Sequence, residues 1–222
     1  MLFNNKCYNI SMSAILYLPI LFFSIIFHEY AHGYIACRNG DDTAYLLGRL
    51  TFNPLKHIDI AGSIIVPLAC YVMGWPLFGW AKPVPVNPYR LNDMRNDMAK
   101  VAFAGPAANL LLVVISTLLL KFMFMFAPGN TVLAQVFVYS ILINLLLALF
   151  NLMPIPPLDG SKIVARFLTP KAAAKYMGFE RYGMLLVIIF IFTGLFSKII
   201  IPVFYFILNL ILSFVGGSFN GL

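Results

Sequence analysis

The chain has 222 residues, of which 61% are hydrophobic and only 10% charged, and its mean hydropathy is +0.89. These values exclude an ordinary soluble domain and indicate an integral membrane protein. The net charge of +7 does not indicate nucleic-acid binding, because the basic residues lie between apolar runs, where they orient the chain and contact anionic lipid. The three cysteines form no CxxC pair and predict neither a disulfide framework nor a cysteine metal site.

Apolar runs follow one another along the whole chain, at about 12–37, 58–79, 98–127, 132–153 and 182–215. Most of them reach the roughly 20 residues that cross a hydrocarbon core. We therefore predict an all-α polytopic membrane protein, a helical bundle of about 4–6 spans. A single membrane-embedded domain over residues 1–222 is expected, with a core at about 12–170 and further hydrophobic spans at 182–215. The first run is not interpreted as a signal peptide, because no A-x-A cleavage site closes it.

The segment after the first run reads "TAYLLGRLTFNP" and is bounded by Asp41, Asp42 and Pro54. Its alternating pattern and β-favouring residues predict one or two short strands.

Run 58–79 is predicted to fold back. It contains Gly62, Pro67, Gly74 and Pro76, which favour a bent path over a straight helix. A re-entrant hairpin there would bring every basic connector to the cytoplasmic side, as the positive-inside rule requires, and leave the uncharged connector 127–131 outside. The basic connectors are 38–58, 80–100 and 154–181.

Two further segments complete the predicted layout. The proline-rich stretch 79–89 must be extended. Run 182–215 is too long for one upright helix and is interrupted at Thr193, Gly194 and Pro202. It predicts either one tilted span or two short ones.

The end of the first run carries the sequence "FHEYAHG". On a helix, His28 and His32 lie on one face and can direct their rings at a common point, and Glu29 lies about 100° round the helix from His28. This is the HExxH pattern, in which two imidazoles hold zinc and the carboxylate handles a proton of water. Ionisable residues in a span are costly and usually functional. Gly33 leaves room beside the second histidine for another segment of the chain.

A catalytic zinc site generally has three protein ligands. The candidates for the third are Asp159, Glu180, His57 and Asp59. Asp159 is the best placed, because it follows an apolar span that three prolines interrupt in "NLMPIPPLDG". Unwound backbone at membrane depth is tolerated only where it is packed in protein or lines a cavity. His57 and Asp59 could instead be supporting or interfacial residues.

Asparagines within the apolar spans form a second polar feature. Asn109 follows the Gly-Pro of "FAGPAANLL", near the start of a span, where it either serves the site or bonds a neighbouring helix. Asn144 and Asn151 share one face of the span that leads to Asp159.

Together, "FHEYAHG", the Gly-Pro before Asn109 and "NLMPIPPLDG" resemble the site-2 proteases, the membrane-embedded zinc metalloproteases. The stretches "GRLTFNPLKHIDIAGS" and "GWAKPVPVNP" are similar to a branch of small prokaryotic members that carry an extra hydrophobic hairpin. The resemblance covers about residues 20–170. No PDZ-like or CBS-like domain is detected.

The resemblance implies that one zinc ion per chain is bound by His28, His32 and Asp159, with Glu29 as general base. It also implies that Asn109 and Asn151 position the substrate or stabilise the oxyanion. The expected activity is regulated intramembrane proteolysis of membrane-protein substrates with a transmembrane segment, in the cell membrane, with the active site toward the cytoplasm. An exposed strand edge at 43–52 could pair with an unwound substrate.

Two other function classes are weighed against the protease. Intramembrane histidines and aspartates also mark the ion paths of metal transporters and channels, although a glutamate between two ligating histidines is less needed there. An inactive, protease-like scaffold is the third interpretation, and the intact set of Glu29, both histidines and Asp159 argues against it.

Overall fold

The computed structural model describes residues 4–74, 79–126 and 129–216, and every regular element in these ranges is helical. The long helices are α1 (Asn4–Arg38), α4 (Met94–Phe126), α5 (Thr131–Asn151) and α9 (Leu195–Val215). The shorter ones are α2 (Thr43–Leu46), α3 (Val66–Val72), α6 (Asp159–Phe167), α7 (Pro170–Met177) and α8 (Gly183–Phe192), with 3₁₀ turns at Pro54–Lys56, Pro88–Arg90 and Gly178–Tyr182.

Four helices are long and apolar enough to cross a membrane: Tyr17–Arg38 within α1, then α4, α5 and α9. The chain is therefore a multi-pass, all-α membrane protein, as the hydropathy pattern predicts. Helix α4 lies at the centre of the bundle and contacts α1, α5, α6 and α9. The C-terminal half of α4 forms a core with α5 and α9 around Leu120, Ile141 and Leu145, each at most 2% exposed. The N-terminal half of α4, which begins in the basic connector 80–100, faces α1 and α6.

The strand prediction for 43–54 is wrong. Thr43–Leu46 is a short helix, which begins where the Asp41 carboxylate accepts a hydrogen bond from the Thr43 N–H, and Gly48 closes it with a φ of 62°. Tyr45, Leu46 and Leu47 are 65%, 64% and 62% exposed. Three consecutive apolar residues on the outside cannot form the one-sided pattern of a strand, and no neighbouring strand exists among the described residues to pair with one.

The segment after His57 leaves the bundle as a helix and returns beside its own start. A π-helical turn, Ala61–Ile65, continues into α3, and these twelve residues reach only about 18 Å at the helical rise. The Trp80 N–H then donates to the Gly62 carbonyl at 3.1 Å, and the Lys82 N–H to the His57 carbonyl at 2.9 Å. Gly62 is needed for this return, because a Cβ there would lie 2.4 Å from the Trp80 ring. Pro76 lies outside the described residues.

The last apolar run is broken where the sequence predicts an interruption. Helix α8 has ten residues and stops at Thr193, and Gly194, with a φ of 73°, starts α9. Pro202 lies inside α9 without ending it. Only α9 in this run is long enough to span. Phe190 of α8 and Ile200 of α9 pack against Met153, just before the proline-rich turn that leads to Asp159.

Candidate active site

Two histidines of α1 and an aspartate 127 residues beyond His32 meet inside the bundle. The Nε2 atoms of His28 and His32 are 2.9 Å apart. The Oδ2 atom of Asp159 lies 3.2 Å from the first and 3.1 Å from the second. All three residues are buried, at 7–8% exposure. Among the described residues, these three form the cluster that could hold a metal ion.

Hydrogen bonds at Nδ1 of each ring decide which of the two ring nitrogens carries the hydrogen. The Nδ1 atom of His32 lies 2.7 Å from the carbonyl oxygen of Val101, which can only accept, so Nδ1 carries the hydrogen. The Nδ1 atom of His28 lies 2.6 Å from Oδ1 of Asn109 and also donates. Both Nε2 atoms are left with a lone pair directed at the cluster. This arrangement is typical of metal-binding histidines.

Asp159 reaches the histidines because α5 ends in a turn rather than continuing. Helix α5 stops at Asn151, and α6 begins at Asp159 itself. Gly160 allows the two helix ends to touch, because a Cβ there would lie 2.2 Å from the Leu152 carbonyl. The carboxylate therefore projects toward α1 instead of capping a helix. Lys162, whose Nζ lies 3.7 Å from Oδ1 of Asp159, favours the ionised form of the carboxyl group.

The three donor atoms fit a zinc ion. Tetrahedral zinc with ligand distances of about 2.0–2.1 Å places its ligand atoms about 3.3 Å apart, close to the 2.9–3.2 Å found here. Two lone pairs and a carboxylate oxygen at these distances repel one another unless a proton or a cation lies between them. Gly105 of α4 provides the space, because a Cβ there would lie 2.4 Å from Nε2 of His32 and 2.6 Å from Nε2 of His28.

Glu29 is held by the extended segment 79–87 that follows the α3 excursion. Its Oε2 atom accepts a hydrogen bond of 2.7 Å from the Val84 N–H. Two contacts fix this segment: the Asp41 carboxylate accepts from the Asn87 N–H at 2.6 Å, and Arg49 donates to the carbonyls of Lys82 and Pro83. The room that Gly33 leaves beside His32 is filled by the side chains of Val84 and Leu50. The segment thus packs directly against the HExxH face of α1.

A cleft of about 890 Å³ opens onto the three donor atoms and Glu29. One wall is the extended segment, from Trp80 to Pro88, and the opposite wall is α6 and α7. The first turn of α4 closes one end, where Arg95 donates to the carbonyls of Arg166 and Leu168 at the end of α6. The cleft is large enough for an extended peptide segment.

The two asparagines with expected catalytic roles lie in different places. Asn151 lines the cleft, and one of its amide hydrogens bonds the Leu147 carbonyl of its own helix. Asn109 is 0% exposed and does not reach the cleft. Its oxygen bonds His28, and its amide group bonds Asn144 and Ser24. The expected role of Asn109 at the substrate or oxyanion stays a prediction.

The remaining candidate ligands lie apart from the cluster. The ring of His57 bonds the Thr51 carbonyl, and Asp59 accepts from the Gly62 N–H at the start of the α3 excursion. Glu180 lines the outer part of the cleft. Sequence reasoning missed Val84, whose contribution is a backbone N–H that any residue except proline supplies. The Gly-Pro at Gly105 is visible in the sequence, but it carries no signal for which side chains approach it.

Comparisons with known proteins identify relatives of this chain. Residues 127–197 match the model of Peptidase family M50. The chain is 41% identical over 197 residues to YwhC of Bacillus subtilis, which covers 86% of this chain and 87% of that protein. It is 28% identical over 170 residues to Rip2 of Mycolicibacterium smegmatis, covering 77% of this chain and 64% of Rip2, and 30% identical over 142 residues to MJ0611 of Methanocaldococcus jannaschii, covering 63% of each.

All three relatives are named as zinc metalloproteases. No solved structure matches the chain. The likeness to YwhC runs through most of both proteins, whereas the match to the family model covers residues 127–197. The chain belongs to peptidase family M50, the site-2 protease family, and is a zinc metalloprotease.

Proposed function

We propose that this protein is an intramembrane endopeptidase that hydrolyses peptide bonds in or near the transmembrane segments of membrane proteins. The observation that carries the proposal is the convergence of His28, His32 and Asp159 beside Glu29, in a cleft to which three apolar spans, α1, α4 and α5, contribute residues. A protease that acts only on soluble chains has no need of a site enclosed by spans.

One zinc ion per chain would be held by Nε2 of His28, Nε2 of His32 and Oδ2 of Asp159. When bound, zinc polarises the scissile carbonyl and makes water acidic enough to react near neutral pH. Glu29 takes the proton of the attacking water and delivers it to the leaving amine. The Val84 N–H holds one oxygen of Glu29 and so fixes its direction. Asn151, on the cleft wall, has a second amide hydrogen that can bind the substrate or the developing oxyanion.

Water reaches this site because it lies near the ends of its helices. His32 is six residues from the end of α1, or about 9 Å at the helical rise. Val101 and Gly105 lie within the first turns of α4, and Asp159 follows the end of α5. The basic connectors 80–100 and 154–181 lie on this same side. We therefore place the active site toward the cytoplasm, with the protein in the cell membrane.

This orientation is tested with single cysteines in a background in which Cys7, Cys37 and Cys70 are replaced by serine. Asn92→Cys and Gly129→Cys place a thiol at exposed positions on the two ends of α4. In intact cells, a membrane-impermeant maleimide should label the second cysteine and leave the first unlabelled until the membrane is permeabilised. Labelling of both from outside would contradict the proposed topology.

The α3 excursion would enter the bilayer and return without crossing it. Its outer face is apolar, with Ile64, Ile65 and Leu68 exposed by 54–60%, and its twelve residues are too few to span. Beside it, the extended segment 79–87 and the rim of the cleft offer the substrate a path from the bilayer to the site. The natural partners would be membrane proteins with a transmembrane segment, together with lipid. Their cleavage would be regulated intramembrane proteolysis.

The substrate class is tested with the purified protein in liposomes that contain a panel of single-span proteins. Mass spectrometry of the fragments should place the cut bond inside a transmembrane segment or within a few residues of its end. Cuts confined to soluble domains of the same panel would contradict the proposal. Zinc flux across the liposomes without cleavage of any substrate would favour a metal transporter.

A further inference from the structure

A chain of buried polar side chains leads from the candidate zinc site into the centre of the bundle. It begins at Nδ1 of His28 and continues through Asn109 of α4 to Asn144 of α5 and Ser24 of α1. Asn109, Asn144 and Ser24 are each 0% exposed. Polar groups at this depth among apolar spans are costly unless every one is bonded, so each orientation in the chain matters.

Asn144 has only one possible orientation. Its amide nitrogen donates to the main-chain carbonyl of Ser140 at 2.9 Å and to Oγ of Ser24 at 2.9 Å. The hydroxyl of Ser24 in turn donates to the Ile20 carbonyl at 2.8 Å, so its oxygen is free to accept. A flipped Asn144 would direct its oxygen at the Ser140 carbonyl, where two acceptors would repel. The Asn144 oxygen is therefore fixed facing Asn109.

Asn109, in contrast, depends on its neighbour for its orientation. Its amide nitrogen donates to Oδ1 of Asn144 at 2.8 Å, and its other contact, with the Ser24 carbonyl, is long at 3.4 Å. If the amide flipped, its NH₂ group would face Nδ1 of His28. The hydrogen of the imidazole would then move to Nε2, the atom that faces His32 and Asp159, and the lone pair would be lost from the zinc site.

We propose that Asn144 is a positioning residue of the zinc site: by fixing the amide orientation of Asn109, it fixes the tautomer of His28. The inference rests on the proposed role of His28 as a zinc ligand. Asn144 does not line the cleft, so it touches neither substrate nor metal. Its effect should therefore appear in zinc affinity and not in substrate affinity.

The first test is Asn144→Leu, which keeps a similar side-chain size and removes the acceptor. The hydroxyls of Ser24 and Ser140 keep their bonds to the Ile20 carbonyl and to Ser116. We expect the Kd for zinc, measured by chelator competition on the purified protein, to rise about 10–100-fold, as for other residues that orient a metal-binding histidine. Thr117→Val is the control, because that buried hydroxyl bonds only within its own helix.

The second test separates orientation from helix packing. In Asn109→Asp, both side-chain oxygens accept, so every orientation offers an oxygen to His28 and no amide remains to flip. Adding Asn144→Leu to this background should cost no zinc affinity, and it should relieve the repulsion that Asn109→Asp creates with the Asn144 oxygen. An equal loss of zinc affinity in both backgrounds would show that Asn144 acts through packing alone and would overturn the inference.

The outcomes distinguish this inference from the metal site on which it rests. Zinc affinity lost in His28→Ala but unchanged in Asn144→Leu would leave the site intact and overturn the role of Asn144. Unchanged affinity in His28→Ala would overturn the metal site and the inference with it. If Asn144→Leu fails to fold, Asn144→Ala removes the same acceptor with a smaller side chain, and the same comparison in the Asn109→Asp background decides.

Discussion

Replacing Gly105 with alanine should destroy the zinc site without disturbing the helix that carries it. A Cβ at this position would lie 2.4 Å from Nε2 of His32, and 2.6 Å from both Cε1 and Nε2 of His28. Neither ring can swing away freely, because each is anchored at Nδ1, one by Val101 and the other by Asn109. The methyl group would occupy the space that the ligand atoms need.

The size of the effect follows from these distances. Ordinary contact with a Cβ begins at 3.4 Å, so the His32 nitrogen would have to move by about 1 Å. A zinc site tolerates about 0.2 Å in its ligand distances. We expect the Kd for zinc to rise at least 100-fold, or about 2.8 kcal/mol at 1.4 kcal/mol per factor of ten. Alanine is favoured over glycine inside a helix by about 1 kcal/mol, so α4 itself should not be weakened.

The assay is zinc affinity by chelator competition, with proteolysis measured on the same preparation. Gly178→Ala is the matched control, because that glycine has a φ of −59° and nothing lies within 4 Å of its Cβ. The control should bind zinc and cleave like the original protein. A Gly105→Ala variant that binds zinc with unchanged affinity would refute the geometry of the site.

Two further changes test the surroundings of the site. Val84→Pro removes the N–H that holds Glu29, and should lower kcat about tenfold with little change in KM or zinc content, whereas Val84→Ala keeps the N–H and should behave normally. An equal loss in both variants would mean that the valine side chain, not the N–H, matters. Arg95→Ala removes the hydrogen bonds from α4 to the end of α6. It should lower the unfolding temperature, measured by a thermal melt, by several degrees. An unchanged unfolding temperature would show that α6 is held by other contacts.

The metal-binding candidates could be predicted because their signals are local. Four-residue spacing places His28 and His32 on one helix face, and three prolines before Asp159 require a turn at membrane depth. The four candidates for the third ligand differ in what they touch in the structure. His57 and Asp59 bond backbone groups near the α3 excursion, and Asp159 alone of the four lies within reach of both histidines.

Other features could not be predicted because they arise from contacts between distant segments. The expected strand at 43–54 rested on alternating apolar residues, but in a membrane protein such residues also face outward, as Tyr45 and Leu46 do. Asn109 was expected at the substrate, and only the packing of α4 against α1 and α5 shows that its oxygen faces His28. The single-domain prediction over residues 1–222 stays a prediction.

The most direct test of the account compares the protein with its Glu29→Gln variant in zinc content and in cleavage of a single-span substrate. Glutamine keeps the size of the side chain and cannot accept a proton from water. The account predicts an unchanged zinc-to-protein ratio near one for both forms, and a loss of cleavage of at least 100-fold in the variant. Undiminished cleavage by a Glu29→Gln variant that retains zinc would contradict the central claim.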